Sequence, residues 1–361
     1  MACSHGCAYC DGRAEKYYVE GDFDRDIIVR DNIDQILLRE LSNIREKGPV
    51  SISSGVTDAY QPVEELTGIT RKCLEVLSYF DLPINLLTKS VLIERDLDIL
   101  SKIAQSNPVT VFISLVHLDD ETRQIFEPKA ASVEDRLKLI TSLKDAGCSV
   151  GILAMPFIPF IGDSIEHVGE LCRKLLEKDV DFIMPGYLTL RPGRQKDFFF
   201  KKIEEFYPEY LDDYKDMYSN NMLSGNPLRK HRDNFTSMAE EVFLDQNITT
   251  MVPHRIYRKS LHNSDELFVL LLQMREAYNY RSVDTGKLSQ SIDSYISYIE
   301  KEKKGLGRDI AFNTEYMDKL IPDLCRSNKI NDILQNQKLS DFVSGVFLED
   351  KLFNSATLKL E

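Results

Sequence analysis

Three cysteines stand in the first ten residues, Cys3, Cys7 and Cys10, in the run Met1-Ala2-Cys3-Ser4-His5-Gly6-Cys7-Ala8-Tyr9-Cys10. Thiolates at this C-x3-C-x2-C spacing can hold three irons of a 4Fe-4S cluster and leave the fourth iron open to a small molecule. An open iron points to chemistry rather than to a structural role. His5 raises the alternative of a zinc site built from three cysteines and one histidine. So short a loop fits iron-sulfur better than a closed tetrahedral zinc site. His117, His167, His231, His254 and His262 show no ligand spacing and read as structural or surface residues.

A cluster loop needs a frame to hold it, and the chain supplies one. From residue 31 to about 190 the hydrophobic pattern switches between helical and strand periods. Asn32 is placed to cap a helix carrying Ile33, Ile36, Leu37, Leu41 and Ile44, which Gly48-Pro49 closes. Strands are predicted over 50–53, 84–88, 109–115, 149–155 and 182–190, with helices near 63–79, 95–104 and 164–178 between them. Ser132 caps a further helix, ended by Gly147. Five strands alternating with helices argue for parallel pairing with right-handed crossovers, hence a barrel or an open doubly wound sheet.

In such folds the chemistry sits after the strands, at their C-terminal ends. The residues there are polar or turn-forming: Ser54-Gly55-Val56-Thr57-Asp58, Lys89-Ser90, Ser114, Met155-Pro156-Phe157, and the stretch from Tyr187 to Gly193 with Arg191. Recurrence at several strand ends describes a rim able to bind a small polar ligand.

The seven cysteines include four scattered singly, Cys73, Cys148, Cys172 and Cys325, so no disulfide framework is present. No export signal or membrane span is read, and a cytoplasmic setting is expected. The 361 residues, 43% hydrophobic, suffice for one large domain or two. With 45 Lys and Arg against 58 Asp and Glu, the net charge of -13 repels a phosphate backbone unless basic residues are segregated. Three basic clusters occur, around Arg191 to Lys202, Arg229 to Arg232 and His254 to Lys259, and they read as solvated faces.

The cysteine run, with Val56-Thr57-Asp58-Ala59-Tyr60-Gln61-Pro62, Leu87-Thr88-Lys89-Ser90 and Glu127-Pro128-Lys129-Ala130, resembles the radical S-adenosylmethionine superfamily. More narrowly, the phrases resemble its spore photoproduct lyase-like branch, often labelled DNA repair photolyases. The resemblance covers roughly the first 195 residues. It implies a partial (β/α)6 TIM-like barrel of the radical SAM type, a 4Fe-4S cluster on Cys3, Cys7 and Cys10, and S-adenosylmethionine as cofactor. It also implies a reductant such as flavodoxin or ferredoxin. By position in the matching motifs, Thr57, Asp58 and Lys89 fall at the cofactor, with Lys89 facing its carboxylate, and Ser114 faces the ribose. Tyr9 is carried over as a candidate catalytic residue.

Departures from the lyase pattern are specific. The lyases place a hydrogen-donating cysteine where this chain has Gly55, and a second tyrosine after the third cluster cysteine where this chain has Asp11. Reversal of a thymine dimer is therefore not expected. Only Met1 and Ala2 precede Cys3, too few for the superfamily's first strand. An incomplete N-terminus is expected, ahead of a five-strand barrel or a substitute edge from residues 27–30.

Three segments are expected: a partial-barrel core over 1–195, a helical and loop cover over 196–262, and a C-terminal helical extension over 263–361. Two function classes stay open. One is a radical enzyme acting on a nucleic-acid, nucleotide-related or other substrate; the other is a cluster-carrying binding or regulatory protein without turnover.

Overall fold

The hydrophobic runs of the first half form one parallel sheet. The structure, a computed structural model, describes residues 1–52 and 55–361. Ser53, the end of the first predicted strand, and Ser54, the start of the loop after it, lie outside the described residues. The strands are β1 (Val50–Ile52), β2 (Ile84–Thr88), β3 (Val109–Ser114), β4 (Ser149–Phe157) and β5 (Phe182–Tyr187). All are parallel and follow the order β1-β2-β3-β4-β5, with Ile84 opposite Val50 and Val109. A doubly wound sheet reverses strand order at a switch point. This one does not, which leaves the arc of an unclosed barrel; no pairing joins β1 to β5 among the described residues.

The sheet has five strands among the described residues, against the six implied by the resemblance. Residues 27–30 supply no substitute edge. They meet the chain start instead, where the Ile28 N–H donates to the Met1 carbonyl at 3.0 Å.

Helices fill the crossovers: α1 (Ile33–Asn43), α2 (Glu64–Thr67), α3 (Ile69–Tyr79), α4 (Leu97–Ala104), α5 (Asp120–Phe126), α6 (Val133–Asp145) and α7 (Ile165–Leu176). The helix predicted over 63–79 is two helices, because Gly68 sits in the left-handed region at φ 59° and ends α2 before α3 begins. That predicted over 95–104 starts with a 3-10 stretch, Val91–Asp96. Ser132 caps α6 by accepting from the Asp135 N–H at 3.0 Å, and Ser164 caps α7 through the His167 N–H at 3.1 Å.

Beyond β5 come α8 (Arg194–Phe206), α9 (Leu211–Met217) and α10 (Arg229–Asp245). Phe199, Ile203, Tyr214 and Met217 pack against Cys7, Ala8 and Tyr9, so α8 and α9 press on the cysteine loop itself. Burial of several aromatic side chains, each worth about 2–3 kcal/mol, fixes that loop from outside.

The chain divides into two units, Met1–Asn43 with Pro49–Thr250, and Ile44–Gly48 with Met251–Glu361. The second contains α11 (His254–Tyr257), α12 (Asn263–Asn279), α13 (Gly286–Gly305), α14 (Ile310–Arg326), α15 (Ile330–Leu334), α16 (Gln337–Glu349) and a hairpin of β6 (Phe353–Asn354) and β7 (Lys359–Leu360). Its apolar stripes, among them Leu267, Leu270 and Leu271 on α12 and Ile292 and Tyr295 on α13, form one core. His254 is structural there, holding Glu266 at 2.9 Å and accepting from the Phe353 N–H at 3.1 Å. No helix among the described residues is long and apolar enough to cross a membrane.

Candidate functional site

At the C-terminal ends of the strands lies a cavity of about 440 Å³. Its walls include Cys3, Cys7, Cys10 and Tyr9 from the N-terminal loop, Thr57 and Asp58 after β1, Lys89 after β2, and Ser114 at the end of β3. All eight residues singled out in the sequence thus share one cavity. Gly55, Leu153, Met155 and Tyr187 complete much of the rest.

The cysteine loop is held by backbone pairing to the segment after α5. The Ala8 N–H donates to the Phe126 carbonyl at 2.8 Å, and the Lys129 N–H to the His5 carbonyl at 3.1 Å. The His5 Nδ1–H donates to the Lys129 carbonyl at 3.1 Å, while Nε2 lies 3.4 Å from Asp58. Arg13 donates to the Cys7 carbonyl at 2.9 Å and pairs with Asp24 at 2.6 Å. A backbone exposed at a cavity needs such partners to keep one shape.

Gln61 and Gln195, neither marked as a site residue in the sequence, serve as bridges. Gln61 accepts from the Ser4 N–H at 2.9 Å and donates to the Ala2 carbonyl at 3.2 Å and to Thr57 Oγ1 at 2.7 Å. Gln195 donates to the Tyr9 carbonyl at 2.9 Å and to the Thr189 carbonyl at 3.0 Å. A glutamine carries both a donor and an acceptor, so one buried side chain ties two segments together.

Thr57 and Asp58 direct their polar atoms to protein partners. Thr57 Oγ1 donates to the Ala2 carbonyl at 2.9 Å. Asp58 accepts from Thr88 Oγ1 at 2.7 Å, the Tyr60 N–H at 2.8 Å and the Lys89 N–H at 3.0 Å. Burial would raise the Asp58 pKa, but His5 and these N–H donors hold it below the ordinary carboxylate range. Ser114 lines the cavity, and its hydroxyl makes no hydrogen bond among the described residues.

Lys89 belongs to a buried charge group. Its Nζ donates to Glu127 at 3.0 Å and to Tyr9 Oη at 3.1 Å, and the Tyr9 phenol donates to Glu127. Arg136, with no exposed surface, donates to the other Glu127 oxygen at 2.7 Å and to the Ser114 carbonyl at 2.7 Å. Burial opposes every one of these charges. Cys7 and Glu127 nevertheless keep Lys89 well above its ordinary pKa, and Arg136 and Lys89 keep Glu127 well below its own. Glu127 and Arg136 lie 38 and 47 positions from Lys89, a separation no local pattern reveals; the signal available was the phrase Glu127-Pro128-Lys129-Ala130.

All three cysteines are free thiols. Burial pushes Cys7 up to about 12 and Cys3 up to about 11, and raises Cys10 as well. Binding iron there would expel protons. Among the described residues no three His, Cys, Asp or Glu side chains converge as a single metal ion requires. Thiols ranged around a cavity instead fit a cluster, in which each sulfur takes its own iron. The donor set therefore fits iron-sulfur.

Asp11 is fixed beside the third cysteine. It accepts from Tyr17 Oη at 2.5 Å and from Arg191 Nε at 2.6 Å. Burial favours its neutral form, yet Tyr17 and Arg191 outweigh that and lower its pKa. Arg191 is thereby neutralised, as is Arg194 by Glu15 and Arg229 by Asp233. Basic residues of two clusters thus face carboxylates rather than an open polyanion groove.

Residues 1–175 match the family model of the Radical SAM superfamily. The superfamily's cofactors are a 4Fe-4S cluster and S-adenosylmethionine. The chain is 29% identical over 220 residues to an uncharacterized protein of Mycobacterium tuberculosis, an alignment covering 60% of this chain and 64% of that protein. It is 27% identical over 210 residues to an uncharacterized protein of Methanocaldococcus jannaschii, covering 58% and 74%. The fold is similar to that of spore photoproduct lyase complexed with dinucleoside spore photoproduct, with a TM-score of 0.50, 18% identity and coverage of 68% and 72%.

Proposed function

We propose that this protein is a radical S-adenosylmethionine enzyme in which Cys3, Cys7 and Cys10 hold a 4Fe-4S cluster. The observation that carries the reading is the shared cavity: three free thiols, a lysine and a serine hydroxyl meet at the ends of successive strands. When bound, the cluster and S-adenosylmethionine supply reductive cleavage to a 5'-deoxyadenosyl radical that abstracts hydrogen from a substrate.

The chain's own residues bind, orient and shield. Lys89 presents a cation suited to the carboxylate of the cofactor, and Ser114 an uncommitted hydroxyl suited to its ribose. Thr57 and Asp58 act as positioning residues, since their polar atoms tie the chain start, the β1 loop and the end of β2 together. Leu153, Met155 and Leu188 give an apolar wall that excludes water from a reactive radical. An external one-electron reductant such as flavodoxin or ferredoxin is required, in a cytoplasmic setting.

The substrate is not spore photoproduct. Gly55 offers no thiol at the cavity, and Cys73, Cys148 and Cys172 lie off its wall. Asp11 replaces the second tyrosine and is bound to Tyr17 and Arg191. A radical relay in the lyase's form, which uses that thiol and that second tyrosine, is not expected here.

Anaerobic reconstitution tests the activity. Dithionite-reduced protein is expected to release 5'-deoxyadenosine from S-adenosylmethionine, and Cys7→Ala to abolish both cluster and release. A stable brown cluster that never cleaves the cofactor would overturn the enzyme reading in favour of a binding or regulatory role.

A further inference from the structure

The segment 126–130 is tied to the cysteine loop by backbone and side-chain bonds. Its backbone pairs with Ala8 and His5, and between those two attachments Glu127 turns inward, 1% exposed. There its two oxygens meet Lys89, Arg136 and the Tyr9 phenol. Arg123 fixes the same residue from behind, donating to the Glu127 carbonyl at 3.1 Å and to the Ala130 carbonyl at 3.1 Å. The carboxylate thus sits on a rigid turn clamped at both ends.

We propose that Glu127 is the positioning residue of this site, holding Lys89 and Tyr9 against the cysteine loop and setting the charge that the loop's ligands feel. The proposal rests on the cluster reading of Cys3, Cys7 and Cys10. Its physical basis is the balance of buried charge. Lys89 on the wall and Arg136 buried behind it contribute two positive charges, and Glu127 is the carboxylate that both touch. Inside a protein such charges act across low dielectric and are poorly screened. Removing the anion leaves both cations without their shared counter-charge; removing Lys89 leaves Arg136 as the one cation paired with Glu127. A cluster that gains an electron is stabilised by the first change and destabilised by the second.

Opposite shifts are a signature that simple loss of structure does not produce. The measurement is the cluster midpoint potential by EPR-monitored titration of the full, anaerobically reconstituted chain, with iron and sulfide content determined in parallel. Glu127→Gln is expected to move the potential in the positive direction and Lys89→Met in the negative direction. Glu127→Asp, which keeps the charge, is expected to stay near the wild type. Glu127→Gln leaves two cations buried and risks misfolding. The double variant Lys89→Met/Glu127→Gln removes one charge of each sign, and its potential is expected to return toward the wild-type value. Shifts of the same sign in the two single variants, or a double variant displaced as far as either single, would overturn the role of Glu127 while leaving the cluster intact. A wild-type protein that takes up no four-iron cluster would overturn the cluster reading, and this proposal with it.

Discussion

Replacing Asp58 by Asn removes a charge and one acceptor from the point where three segments meet. Oδ1 serves Thr88 and Tyr60, and an Asn carbonyl can keep both. Oδ2 serves the Lys89 N–H at 3.0 Å and faces His5 at 3.4 Å. An Asn amide there sets donor against donor. A buried donor left unsatisfied costs about 1–3 kcal/mol, a sizeable share of the ~5–15 kcal/mol that keeps a domain folded. With a urea slope of about 1–3 kcal/mol/M, the unfolding midpoint of the first unit should fall by roughly 1 M. The assay is urea unfolding of reduced, metal-free protein at neutral pH, so that no cluster adds stability.

The pH dependence gives the same argument a second edge. Asp58 has a depressed folded pKa, so its contribution is fully present above the unfolded value of about 3.9 and is lost as pH falls through the folded one. The gap between wild type and Asp58→Asn should be constant from pH 7 to 5 and close only in acid. An unchanged midpoint at neutral pH, or a gap that closes before pH 5, would refute the reasoning.

Gly151 in β4 has no room for a side chain, since a Cβ there would stand 2.0 Å from Phe182 Cζ, on a ring that is itself buried. Gly151→Ala should cost about 1–3 kcal/mol by overpacking, read as a lower thermal midpoint, and an unshifted midpoint would contradict the packing of β4 on β5. Spore photoproduct incubated with reconstituted, reduced protein should remain unconverted; clean formation of two thymines would show that Gly55 and Asp11 do not block the lyase reaction.

Much of the frame is legible in the sequence because it rests on local physics. Apolar alternation marks β2, β3 and β4, and Ser132, Ser164 and Gly147 mark helix ends through hydrogen bonds three or four residues away. The Thr67-Gly68 step is a stop signal too, and it divides the predicted 63–79 helix into α2 and α3. What local pattern cannot carry is partnership. The resemblance places Thr57 and Asp58 at the cofactor, and the structure adds what it does not reveal, their bonds to Ala2, Gln61, Thr88 and Tyr60. Gln195 reaches Tyr9 across 186 positions and Arg191 reaches Asp11 across 180. These pairings exist only once the strands have brought the loops to one end of the sheet.

The central claim is that three thiols hold a cluster and leave one iron free for a small molecule. Mössbauer spectroscopy of protein reconstituted with iron-57 tests it most directly. The account predicts a four-iron cluster in which one iron in four changes its isomer shift when S-adenosylmethionine is added and the other three do not. Four irons indifferent to S-adenosylmethionine, or no four-iron cluster at all, would contradict it.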